Sequence, residues 1–143
     1  MKTKFSQILR LKQNIVNKIE FEIMQVNGEI AGKKRAIAEL EHLISEFVAP
    51  KKSERYSEFL NFRDALSNIR AKIAEERNFL AMIEARKVDI LKRFKVAKIE
   101  FEKINYLHLQ EVQAILKKTQ RAELIELNEI ATNKYLALKK VEQ

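Results

Sequence analysis

The chain has 143 residues, with 28 Lys and Arg against 20 Asp and Glu for a formal net charge of +8, and it contains two Gly, one Pro, no Trp and no Cys. So little turn chemistry beside 34% charged residues describes an all-α chain and argues against a sheet protein, while the missing Cys excludes a disulfide framework and every thiolate metal site. The same absence fits a reducing compartment, and a cytoplasmic protein is expected.

The N-terminal stretch MKTKFSQILRLKQNIVNKIE starts basic, but Lys12, Asn14, Asn17 and Lys18 interrupt its apolar residues. No window approaches the ~18 apolar residues of a membrane span, so a chain neither secreted nor transmembrane is expected. Ile8, Leu11, Ile15, Ile19, Ile23, Val26, Ile30, Ile37, Leu40, Ile44 and Phe47 form a helical stripe in which Lys33 takes a skipped position. Two consecutive four-residue steps around Ile19 suggest a local shift of register. This is helix one, over about 4–48.

A turn is expected at about 49–53. Pro50 disfavours helical geometry at Ala49, Ser53 can cap a new N-terminus, and Glu54 suits the first turn of the next helix. Helix two, over about 54–139, then carries an uninterrupted heptad seam of Phe59, Phe62, Leu66, Ile69, Ile73, Leu80, Ile83, Ile90, Phe94, Ala97, Phe101 and Ile104, with Glu76 and Lys87 its only charged members. A short connection returns helix two antiparallel to helix one. The expected fold is an all-α, antiparallel two-helix coiled coil, an αα-hairpin forming one elongated domain over 1–143 with a second helix much longer than the first.

At ~1.5 Å per residue the two helices span roughly 65 and 130 Å. If Phe47 packs near Tyr56, Ile8 lies level with Lys95, and helix two from Phe101 onward has no partner within the chain. That overhang still carries Ile104, Leu107, Leu109, Val112, Ile115, Leu116, Leu124, Ile125, Leu127, Ile130, Leu136 and Leu138. Such a stripe implies a partner, a fold-back or self-association, because an amphipathic helix gains little from propensity alone.

Residues for catalysis are sparse. His42 and His108 are the only histidines, and no Ser or Thr has a triad arrangement. Glu39 and His42 have the Glu-x-x-His spacing of di-iron bundles, but the position matching Glu39 before His108 is Asn105, so the expected state is a His on a coiled-coil flank and no metal. Gly28 and Gly32 form a Gly-x-x-x-Gly pair followed directly by Lys33, Lys34 and Arg35, which reads as a flexible or closely packed stretch of helix. No Gly-rich phosphate loop exists, and no cofactor is expected.

Basic charge concentrates at Arg86, Lys87, Lys92, Arg93, Lys95, Lys98 and Lys103, facing Asp89, Glu100 and Glu102. Such a stripe suits phosphates of nucleic acid or an anionic membrane, an acidic protein surface, or a solvated face. Phe94 and Phe101 lie on the seam and are poorly placed to stack bases, which favours an acidic protein partner, with nucleic acid not expected.

The opening Phe5-Ser6-Gln7-Ile8-Leu9-Arg10-Leu11-Lys12, the apolar hairpin tip, the long Lys/Glu-rich second helix and the closing Glu123-Leu124-Ile125-Glu126-Leu127-Asn128-Glu129-Ile130-Ala131 resemble the flagellar export protein family FliJ over almost the whole chain. Family members commonly have Asp where Asn128 stands. The resemblance implies a soluble, non-enzymatic coiled-coil stalk that inserts into the ring of the flagellar type III export ATPase, contacts the cytoplasmic ring of the export gate and escorts export chaperones. It further implies a monomer when free, cytoplasmic and associated peripherally with the inner membrane at the flagellar base. By that resemblance, Phe5, Ile8, Leu11, Ile15, Leu124, Leu127, Glu129 and Ile130 are candidates for ATPase-ring binding. Leu40, Leu43, Phe47, Phe62, Leu66 and Ile69 are candidates for the gate. Five of these six sit on or beside the seam and are equally suited to burial, whereas Leu43 lies one step off the line of Leu40, Ile44 and Phe47. A generic coiled-coil scaffold or self-assembling bundle, and a basic coiled coil binding nucleic acid or anionic membrane, are the alternatives.

Overall fold

A computed structural model describes residues 1–47 and 55–142. The expected turn at 49–53, with Pro50 and the Ser53 cap, lies outside the described residues. Among the described residues there are two helices, α1 (Ser6–Ser45, 40 residues) and α2 (Tyr56–Glu142, 87 residues), and no strand. The fold class is the expected all-α helical hairpin. No described helix is long and apolar enough to cross a membrane. The chain divides into two compact units, Val16–Val96 and Met1–Ile15 with the segment from Ala97.

In the unit Val16–Val96 the helices are antiparallel: Glu41, Glu29 and Glu22 of α1 pair in that order with Arg77, Arg86 and Arg93 of α2. Between them, Val16, Ile19, Val26 and Ile37 pack with Ile73 and Ile90 as the buried apolar core. Steps of three and four place these side chains on one stripe of each helix, and burying that stripe supplies most of the stability a two-helix unit has. On α2 the seam appears as read from the sequence. From Phe62 to Phe94 every seam position is buried or half-buried, and Phe59 alone is exposed.

On α1 the expected shift of register is corrected. The covered positions include 5, 9, 12, 16, 19, 23, 26, 30, 33, 37, 40, 44 and 47, an unbroken alternation of four- and three-residue steps, with half-buried flanking residues such as 13, 22 and 36 beside it. Val16 is 1% exposed, whereas Ile15 is 47% and Leu11 62% exposed. The N-terminal third of α1 carries two interleaved apolar stripes. The one that stays in phase with Ile19 and Val26 is covered, half-buried at Leu9 and Lys12 and sealed at Val16, even though it includes Lys12, whose aliphatic stem can cover apolar surface while its ammonium stays in water.

In the other unit, Phe5 just before α1, Leu9 and Lys12 of α1, and Ala97, Phe101, Ile104, His108 and Ile115 of α2 are half-buried. Coverage of α2 therefore continues to Ile115, and the exposed stretch begins at Leu116, correcting the expected start at Phe101. In the unit Val16–Val96, Phe47 packs on Phe62 with ring centroids 5.7 Å apart. Tyr56 is 75% exposed. The pairing level at the tip is thus six residues further along α2 than a minimal turn suggested.

Candidate functional site

Within the unit Val16–Val96, the six gate candidates occupy the end of α1, Phe47 just beyond it, and the first turns of α2. Leu40, Phe47, Phe62, Leu66 and Ile69 are half-buried along the seam, and the tilted Phe47–Phe62 pair closes it. Leu43 is 43% exposed. It lines a shallow groove with Ala36, Glu39, Leu40, Lys72 and Glu76, so both helices contribute to the surface around it. The end of α1 is tied by Ser45 Oγ donating to the His42 carbonyl at 2.6 Å and by Phe47 N–H donating to the Ile44 carbonyl at 3.0 Å. These bonds satisfy carbonyls that a helix C-terminus leaves open.

Deeper in the seam lies an ion pair that the sequence reading had as two separate charges. Lys33 Nζ donates to Glu76 Oε2 at 2.8 Å, and Glu76 is 7% exposed. Lys72 Nζ lies 3.4 Å from the other carboxylate oxygen and 3.3 Å from Glu75, while the Lys33 ammonium stands 5.1 Å from the Phe79 ring centroid. The hydrogen bond from Lys33 holds the Glu76 carboxyl below the ordinary glutamate value, against the opposing effect of burial. The hydrogen bond to Glu75 raises the Lys72 ammonium above its ordinary value, with Glu76 adding to the effect.

The flanks neutralise part of the basic segment. Arg93 Nη2 donates to Glu22 at 2.5 Å, Arg77 Nη2 to Glu41 at 2.7 Å, and Arg86 to Glu29. Lys87 is half-buried on the seam, leaving Lys92 and Lys95 as exposed cations with no ion-pair partner among the described residues of this unit. In the other unit Lys103 pairs with Glu100 at 3.6 Å and Lys98 lies over the half-buried Phe101. A stripe so interrupted is a poor phosphate track.

The ATPase-ring candidates belong to the unit formed by Met1–Ile15 and the segment from Ala97. Phe5 is half-buried on the seam, while Ile8, Leu11 and Ile15 are exposed at three- and four-residue spacing on the flank of α1. Leu124, Leu127 and Ile130 are 59%, 63% and 46% exposed, and Glu129 is exposed beside them. A second shallow groove runs along Ile125, Asn128, Glu129, Thr132 and Asn133. The start of α1 is fixed by a reciprocal cap in which Phe5 N–H donates to Thr3 Oγ1 at 3.1 Å and Thr3 N–H donates to Ser6 Oγ at 2.8 Å. Thr3 Oγ1 also lies 2.8 Å from His108 Nδ1, joining the N-terminal arm to α2. Its hydroxyl hydrogen is free to be donated there when the ring carries its proton on Nε2. Thr3 and Val16 were not singled out by sequence reasoning. A continued heptad count from Ile19 finds Val16, but Thr3 gives no periodic signal.

His42 bonds Glu46 at 3.0 Å on the exposed surface, and no group of three metal-ligating side chains occurs among the described residues. Gly28 and Gly32 have open space where a Cβ would stand and no positive φ, so close packing does not explain them.

Comparison with protein families matches the flagellar FliJ protein over residues 1–140. Searches of curated proteins and of solved structures gave no match. The family is a non-catalytic component of flagellar protein export, associated with the type III export apparatus. On a match that spans nearly its whole length, this chain belongs to the flagellar FliJ family.

Proposed function

We propose that the chain is the non-enzymatic stalk and coupling factor of the flagellar type III export ATPase. Phe5, Ile8, Leu11, Ile15, Leu124, Leu127, Glu129 and Ile130 bind inside the ATPase ring. Leu43, supported by Leu40, Phe47, Phe62, Leu66 and Ile69, contacts the cytoplasmic ring of the export gate, and export chaperones dock on the same protein in transit. It works from the cytoplasm, peripheral to the inner membrane at the flagellar base, and is monomeric when free.

The observation that carries this reading is the apolar surface of α2 beyond Ile115, where Leu116, Leu124, Ile125, Leu127, Ile130, Leu136 and Leu138 all remain exposed. A helix this apolar gains stability when a partner covers it, and a ring that encloses it can cover several faces at once. The test is Leu124→Asp with Leu127→Asp in the full chain. Far-UV dichroism is expected to stay helical while capture by the purified ATPase ring falls at least tenfold. Undiminished capture would remove the stalk assignment. Light scattering across concentration separates the scaffold alternative, since a mass that climbs steadily with concentration fits a self-assembling bundle.

A further inference from the structure

The flank ion pairs of the unit Val16–Val96 oppose a slip of α1 in one direction along α2, since facing residues seven positions later would set Glu41 against Glu84 and take Glu22 off Arg93, but they leave the other direction open. Glu22 and Glu29 are seven residues apart, as are their partners Arg93 and Arg86. If α1 slid so that each residue faced the α2 residue seven positions earlier, Glu22 would meet Arg86 and Glu41 would meet Arg70, while Glu29 would meet Phe79, so two of the three pairs would re-form. The apolar seam repeats with the same period, so Leu, Ile and Val would again face Leu, Ile and Val. In that direction heptad chemistry is nearly degenerate to a slip of one heptad.

Lys33 and Glu76 break that degeneracy. Seven residues on either side of Lys33 the seam of α1 holds Val26 and Leu40, and seven on either side of Glu76 the seam of α2 holds Ile69 and Ile83. A slip in one direction sets Lys33 against Ile69 and Glu76 against Val26. The opposite slip sets them against Ile83 and Leu40. Both part Lys33 from Glu76 and set each against an apolar residue, whereas the observed register joins them at 2.8 Å. Lys72, on the same helix as Glu76, moves with it and does not discriminate between registers.

We propose that the Lys33–Glu76 pair is a register lock, a polar layer whose role is to select one axial alignment of α1 on α2 in this unit. The contact it protects includes Phe47 on Phe62, since the first slip would bring Phe47 to Arg55. The lock holds whether or not this surface meets the export gate.

The absence of Cys allows Lys34→Cys and Lys95→Cys, both exposed, to be spin-labelled in the full chain and diluted with unlabelled chain, so that only intramolecular distances are read. The parent should give one distance. Lys33→Leu with Glu76→Leu should add a second population, displaced axially by about 10 Å for seven residues of helix, with no fall in thermal midpoint. Glu22→Ala with Glu29→Ala should keep the single distance. One unchanged distance in the Leu/Leu chain overturns the lock. So does loss of cooperative unfolding in that chain, which would make the pair a source of stability, and so does a split distance in the flank variant.

Discussion

Val16 and Ile15 are adjacent, both β-branched and both in helical steps with apolar neighbours, yet one is sealed and the other open. The difference follows from phase: Val16 lies three residues before Ile19 and seven before Ile23, so it faces α2, while Ile15 is turned about a quarter of the way round the helix. Truncating Val16 should leave a void that its packed neighbours fill only in part. Val16→Ala is expected to lower unfolding free energy by about 1.5–3 kcal/mol, and Ile15→Ala by less than about 1 kcal/mol, measured by urea denaturation followed at 222 nm. Equal losses would return α1 to the register with a shift at Ile19. The sequence made the choice hard because Ile8, Leu11 and Ile15 are more uniformly apolar than Phe5, Leu9, Lys12 and Val16. The stripe with better composition yielded to the stripe with better phase.

Each helix has a place where its sequence is weaker than its structure requires. In α1 it is Gly28 and Gly32, helix-interior residues with no Cβ clash and no left-handed backbone, which cost conformational entropy without an intramolecular packing return. Gly28→Ala and Gly32→Ala are each expected to stabilise by about 0.5–1 kcal/mol, read as a rise in thermal midpoint. A fall for Gly32→Ala would instead show that the groove along Glu29, Gly32, Ala36 and Ile83 is occupied or tighter in solution. In α2 the weak region lies beyond Ile115, where no residue of α1 covers the apolar stripe and the helix depends on propensity, on intrahelical bonds such as Thr132 Oγ1 to the Asn128 carbonyl at 2.8 Å, and on any partner. Helix existence was legible along both segments because apolar period, absence of breakers and length agree. The level at which they pair was not. The apolar positions of a heptad seam look the same when shifted by seven residues, and Lys33 and Glu76 read as separate charges, so only an assumed turn length set the alignment, and Phe62, not Tyr56, turned out to be the partner of Phe47.

At the scale of the molecule, membership of the flagellar FliJ family was legible from the two terminal motifs and the unequal helices together, neither of which identifies a partner surface alone. Seam residues among the gate candidates cannot be assigned to binding from sequence, because the periodicity that would expose them to a partner also buries them. Leu43 escapes this ambiguity, being off the seam by one step and 43% exposed. A leucine there adds little to the core, so charge at that point should act on recognition far more than on folding. Leu43→Asp is expected to shift unfolding free energy by no more than about 0.5 kcal/mol while weakening gate-ring binding tenfold or more, which corresponds to about 1.4 kcal/mol. Phe47→Ala provides the contrast, since it removes a ring contact worth about 0.5–1.5 kcal/mol beyond its buried area and should lower the thermal midpoint as well as affinity. Calorimetric titration of both variants against the purified gate ring, alongside their melting curves, separates the two effects. A collapse of helicity in Leu43→Asp would assign Leu43 to the core, and unchanged affinity in a fully helical Leu43→Asp chain would move the gate contact away from this face of α1.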